Sequence, residues 1–207
     1  HPYTIPAQYR GKLPAGKLPI HQSVAYTDMA LKHFFEAAAK KPWSNNTVFV
    51  ITGDHTSYGE SDYFYSESGH YEVPLLIYSP AIQPGICNNN ISHSGIGATV
   101  LDLIHYPGHF FWPERSSTDT AAGGYQVHYN PDKGYYFILQ DPYTLSMDKQ
   151  GKVMEFYTRT RNSSKINRLP FKGRDFDKLS MALTLRLQSY AYRINKNAYP
   201  LLYNPRP

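Results

Sequence analysis

The sequence predicts an α/β fold: helices flanking a sheet, followed by a small antiparallel sheet with a C-terminal helix. Three observations predict it. A helical period is followed by two short apolar strands and a second helix, which is the alternation of an α/β domain. Beyond about Pro107 the period shortens to strand-sized runs broken by turn residues. A last helical period follows near the C-terminus.

Taken in order, residues 1–19 are rich in Pro and Gly and read as an extended loop. Ile20 to Lys40 reads as a helix, because Ile20, Val24, Thr27, Leu31, Phe34 and Ala38 recur at spacings of four and three. Lys40, Lys41 and Pro42 supply the stop. Thr47–Thr52 is a nearly continuous apolar run, the pattern of a strand buried on both faces. Val73–Tyr78 is a second such strand, closed by Ser79-Pro80. Between Ser92 and His105 the apolar Ile96, Val100, Leu103 and Ile104 predict another helix. Then GYQVHYN, GYYFILQD, YTLSMD and KVMEFYTRT are separated by Asn-Pro-Asp-Lys-Gly, Asp-Pro and Asp-Lys-Gln-Gly, which predicts antiparallel strands joined by turns. The last helix is expected over Asp175 to Asn195, with Asp175 as N-cap and Leu179, Ala182, Leu183, Leu185, Leu187, Tyr190 and Ile194 as its apolar positions. A proline-punctuated tail closes the chain.

Composition narrows the function. The 207 residues are 41% hydrophobic and 18% charged, so a packed core is expected and a disordered chain is not. A single cysteine, Cys87, excludes an intrachain disulfide and a zinc site built on several thiolates. No apolar run reaches the roughly 20 residues that span a bilayer. Nineteen tyrosines fit strand content, or a surface for sugars or lipid headgroups. The net charge of +5 is uneven: residues 1–103 hold 6 Lys/Arg against 8 Asp/Glu, and residues 104–207 hold 15 against 8. A basic half attracts anionic lipid or polymer, or is an ordinary solvated face. No RNP, zinc-finger or P-loop pattern points to nucleic acid.

The stretch NTVFVITGDHTSYGE carries the chemistry. In open α/β sheets, ligands bind beyond the carboxyl ends of the strands. Asp54 and His55 stand there, after Gly53, which is expected to permit a sharp turn and close ligand approach. A carboxylate beside an imidazole is a donor pair for Zn or Mn, or an ordinary loop ion pair. His70, before the second strand, reads as a further ligand, a contact to an anionic substrate oxygen, or a surface histidine. Glu60 and Asp62 are placed to orient the Asp-His pair or to sit solvated in the loop.

HPYTIP, the helix Val24–Leu31, VFVITGDHTSYGE, HYEVPLLIYSP and SHSGIGATVLDL occur in an order that resembles the C-terminal half of the sulfatase/alkaline phosphatase superfamily. Within it the chain is most similar to the lipoteichoic acid synthase-like phosphoglycerol transferases. The likeness covers about residues 1–105. It implies part of an alkaline-phosphatase-like sheet over residues 1–118 and an antiparallel subdomain with its helix over 119–207. It further implies a divalent metal (Mn, Mg or Zn) held by Asp54 and His55, with His1 and His70 on the substrate side. The expected substrate is an anionic lipid or a phosphoglycerol-type ester. The expected setting is a membrane-anchored, extracytoplasmic domain, anchored through an upstream segment. The family's nucleophile and remaining acidic ligand lie upstream of the position that His1 matches, and Thr4, Thr52 and Thr56 do not fit the nucleophile motif. An inactive C-terminal fragment of a transferase is therefore expected. The alternatives are a sulfatase or phosphatase of the same superfamily, and a non-catalytic module that binds anionic glycan or lipid.

Overall fold

The structure, a computed structural model, describes residues 3–57, 59–87, 89–108, 114, 116–118, 125–159, 165–196 and 198. The tail after residue 198 and the aromatic run 109–113 lie outside them. The chain divides into two units, one of residues 1–51 and 76–84, the other of 52–75 and 85–207.

The first unit contains helix α1, Pro19–Ala38. Proline at its first position is pre-set for a helix and has no N–H to leave unpaired. The Leu18 N–H donates to His21 Nδ1 at 3.4 Å. The predicted apolar face is only partly used: Ala38 is buried, whereas Val24 and Phe34 are exposed. The packing runs through Phe35 instead. Its ring lies 5.1 Å from that of Phe49 and 5.4 Å from that of Tyr78. These edge-on contacts fix α1 against the strands β1 (Phe49–Thr52) and β2 (Leu75–Tyr78), which form a two-stranded sheet. Neither strand is buried on both faces as its apolar run predicts. Leu76 and Tyr78 are exposed, and β1 is half-buried.

The second unit holds helix α2 (His93–Leu103), a five-stranded antiparallel sheet and helix α3 (Arg174–Lys196). In α2 the buried residues are Gly95, Ala98 and Thr99, not the larger apolar set the sequence suggests; Ile104 is exposed. Small residues at i, i+3 and i+4 let the backbone approach its neighbours closely. Thr99 Oγ1 donates to the Gly95 carbonyl at 2.9 Å and accepts from the Ser117 N–H at 2.9 Å, so its hydroxyl is satisfied inside.

The sheet runs in simple sequence order: β3 (Gln126–Asn130), β4 (Tyr135–Gln140), β5 (Tyr143–Asp148), β6 (Val153–Arg159) and β7 (Ile166–Arg168). The turn residues sit where the sequence puts them. Gln140 pairs with Tyr143 across Asp141-Pro142, whose peptide is cis. Asp148 Oδ1 accepts from the N–H groups of Gln150 and Lys152 and closes the β5–β6 turn. The three residues of β7 were too few and too polar to predict. Ile138, Leu145, Met147 and Phe156 from the sheet pack against Leu179 and Leu183 of α3, and this is the core. Asp175 lies inside the first turn of α3, where a carboxylate opposes the positive end of the helix dipole, and is not the cap. Leu185, Tyr190 and Ile194 are exposed, so the buried stripe is narrower than the apolar count implies.

Candidate metal centre

β1 ends at Thr52, and the chain passes through Gly53 into Asp54 and His55. Both side chains are open to solvent, 89% exposed for Asp54 and 79% for His55. Gly53 has no left-handed φ, and a Cβ there would meet Val73 at an ordinary 3.4 Å. The expected need for a flexible glycine is not seen.

The pair is nevertheless oriented. Asp54 Oδ1 accepts from the His55 N–H at 2.9 Å. His55 Nδ1 lies 2.7 Å from the Thr56 carbonyl, which can only accept, so Nδ1 carries the proton. That leaves Nε2 with its lone pair, 3.7 Å from Asp54 Oδ2. A backbone carbonyl on the distal nitrogen is the usual way a metal-binding histidine is fixed in tautomer and direction. The two free donors are close enough for one ion at about 2.0–2.2 Å from each. The donor set thus fits part of a divalent shell. Among the described residues no cluster of three or more His, Cys, Asp or Glu completes it.

His70 lies exposed in the turn Gly69–Tyr71. The Thr56 hydroxyl donates to the His70 carbonyl, which ties this turn to the segment just after the Asp-His pair. Gly69 is required: a Cβ there would overlap the Tyr63 carbonyl. Glu60 and Asp62 are exposed, and Asp62 opens a short 3-10 turn, Asp62–Tyr65. His1 lies outside the described residues.

Three residues escape sequence reasoning. His93, at the start of α2, donates from Nε2 to the Gly53 carbonyl at 2.8 Å, one residue ahead of Asp54. His128 of β3 packs between Tyr71 and Phe137, with ring centroids at 5.2 and 5.1 Å. Burial, with a smaller contribution from His93, lowers its pKa to about 4. Glu67, 7% exposed, accepts from the hydroxyls of Tyr135 and Tyr157 and from the Asn130 amide, and pairs with Lys133 at 3.9 Å. Burial and this carboxylate push the Tyr135 phenol far up. Glu67 thereby pins the loop bearing His70 onto β3, β4 and β6. No spacing in the sequence reveals the links from His93 to Gly53, from His128 to Tyr71 or from Glu67 to its tyrosines, because each joins segments tens of residues apart.

Residues 19–106 match the sulfatase family profile. The fold matches a crystal structure of a protein in the alkaline phosphatase superfamily from Vibrio parahaemolyticus, with a TM-score of 0.72 and 20% identity. The match covers 97% of this chain and 48% of that one, so the chain spans about half the length of that protein. The chain therefore carries a segment similar to sulfatases and shares the fold of an alkaline phosphatase superfamily protein.

Proposed function

We propose that this chain supplies Asp54 and His55 to the divalent-metal centre of an enzyme that transfers a phosphoryl-type group from an anionic lipid or phosphoglycerol-type donor. The enzyme is read as a phosphoglycerol- or phosphoethanolamine-type transferase, membrane-anchored and facing out of the cytoplasm. The observation that carries the reading is the geometry of His55: its Nδ1 lies 2.7 Å from the Thr56 carbonyl, and its Nε2 lies 3.7 Å from Asp54 Oδ2. When bound, Mn, Mg or Zn would acidify the nucleophile and neutralise charge on the transferred group. The chain's own residues hold and orient. His93 fixes the Gly53 carbonyl and so the start of the ligand loop. His70, in a turn that Gly69 makes possible, is read as a contact to an anionic substrate oxygen, and His1 is assigned to the same substrate side. The sulfatase match favours one further reading, a sulfuric or phosphoric ester hydrolase, in which water replaces the alcohol acceptor.

Two donors bind an ion more weakly than three or four, so the 207-residue chain is expected to bind metal weakly and to lack turnover. Titration with Mn2+, followed by the loss of free-ion paramagnetic signal, should show one weak site that Asp54→Ala and His55→Ala each abolish. Equal uptake by wild type and Asp54→Ala would refute the ligand assignment. With Mn2+ or Zn2+ present, hydrolysis of bis(p-nitrophenyl) phosphate should not exceed the Asp54→Ala background. A rate above it would show that the chain completes the site alone.

A further inference from the structure

We propose that the outward face of α3 is a docking surface for an anionic lipid bilayer. At 100° per residue, Arg174, Lys178, Met181, Leu185, Tyr192 and Lys196 fall within a single stripe. Leu179 and Leu183 lie on the opposite side, packed on the sheet. Met181, Leu185 and Tyr192 are 59%, 55% and 63% exposed, and Arg174, Lys178 and Lys196 on the same stripe are exposed as well. The helix's two carboxylates, Asp175 and Asp177, are confined to its first turn. From Lys178 to Lys196 there are four cations (Lys178, Arg186, Arg193, Lys196) and no acid. Tyr125 widens this face: the Arg186 guanidinium lies over its ring at 5.9 Å, and the two border an open groove of about 500 Å³ with Lys178, Met181, Leu185 and Ser189.

Charge and apolar exposure together select the occupant. A soluble polyanion would use the cations but would leave Met181 and Leu185 in water. A second copy of this chain, docked about a two-fold axis, would set the same cations against themselves. An anionic bilayer satisfies both features. Lys and Arg stems rise to the headgroups while the apolar tips and the Tyr192 ring enter the acyl boundary. Three apolar side chains insert weakly, so the attachment is peripheral, reversible and dependent on charge. It requires neither the metal nor the Asp54–His55 pair.

The test is flotation of the 207-residue chain with vesicles of phosphatidylcholine alone, or with 30% phosphatidylglycerol, across a salt series. Binding is expected only to the anionic vesicles and should fall as salt rises. Lys178→Gln should weaken it about fivefold at low salt. The double variant Met181→Ser, Leu185→Ser should weaken it about tenfold. Circular dichroism and the thermal midpoint should be unchanged in both, because the altered side chains face solvent. No preference for anionic vesicles would overturn the proposal. So would full binding by the serine double variant with complete competition by polyphosphate, which would mark a polyanion surface. Concentration-dependent dimerisation without vesicle binding would overturn it in favour of self-association.

Discussion

His128 shows how one side chain ties the candidate site to the pH response of the fold. Stacked on Tyr71 and Phe137, it is held neutral, with its pKa lowered from 6.5 to about 4. The unfolded chain takes up a proton near pH 6.5 that the folded chain refuses until about pH 4. Stability is therefore full above pH 6.5 and falls through the window between these values, by up to about 3 kcal/mol. Urea midpoints measured from pH 7 to pH 4.5 should decline, and His128→Phe, which keeps an aromatic ring in the stack, should flatten the decline. Equal slopes for the two proteins would show that other groups dominate. Asp54 and His55 are the contrasting case. They were legible in the sequence because they follow an apolar strand, whereas His93 and His128 join through space to Gly53 and Tyr71, tens of positions away.

At the scale of elements, two glycines in the ligand loops have opposite roles. Gly53 precedes the metal pair but has room for a methyl group beside Val73, whereas Gly69 precedes His70 and has none against the Tyr63 carbonyl. Gly53→Ala should change stability by less than about 0.5 kcal/mol. Gly69→Ala should cost about 1–3 kcal/mol and expose the 59–72 loop to limited proteolysis. The reverse order in denaturation midpoints would refute the assignment. Sequence patterns placed one glycine beside Asp54 and the other beside His70 but could not rank them, because the clash at Gly69 comes from a turn formed six residues earlier. Strands β3 to β6 of the second unit, by contrast, were legible almost to the residue. Each is bounded by a turn whose chemistry is local: Asp141-Pro142 between β4 and β5, and Asp148 with Gly151 between β5 and β6.

For the molecule as a whole, the larger unit carries a core that brings together residues far apart in the chain, from Ile138 to Leu183. Leu183, with no exposed surface, closes that core from the helix side. Leu183→Ala should lower stability by about 2–5 kcal/mol, through lost burial and the cavity left behind. Leu185→Ala, two residues on and more than half exposed, should change it by less than about 0.5 kcal/mol. Comparable losses in the two variants would show that α3 packs on a different face.

The sequence by itself determined the order of the helices and of strands β1 to β6, the antiparallel hairpins among β3 to β6, and the placement of an acid and an imidazole at the end of a strand. All of these rest on short-range chemistry: turn residues, side-chain period and the stop of an apolar run. Tertiary structure alone decided which apolar residues are inside. In α2 it buried Gly95, Ala98 and Thr99 in place of the larger side chains. In α3 it turned Leu185 and Met181 outward beside Lys178. It also fixed the anchor from His93 to Gly53 and the burial of Glu67 among tyrosines. The physical reason is that burial and hydrogen-bond partnership belong to the surroundings a residue meets on folding, and a one-dimensional pattern records only the residue.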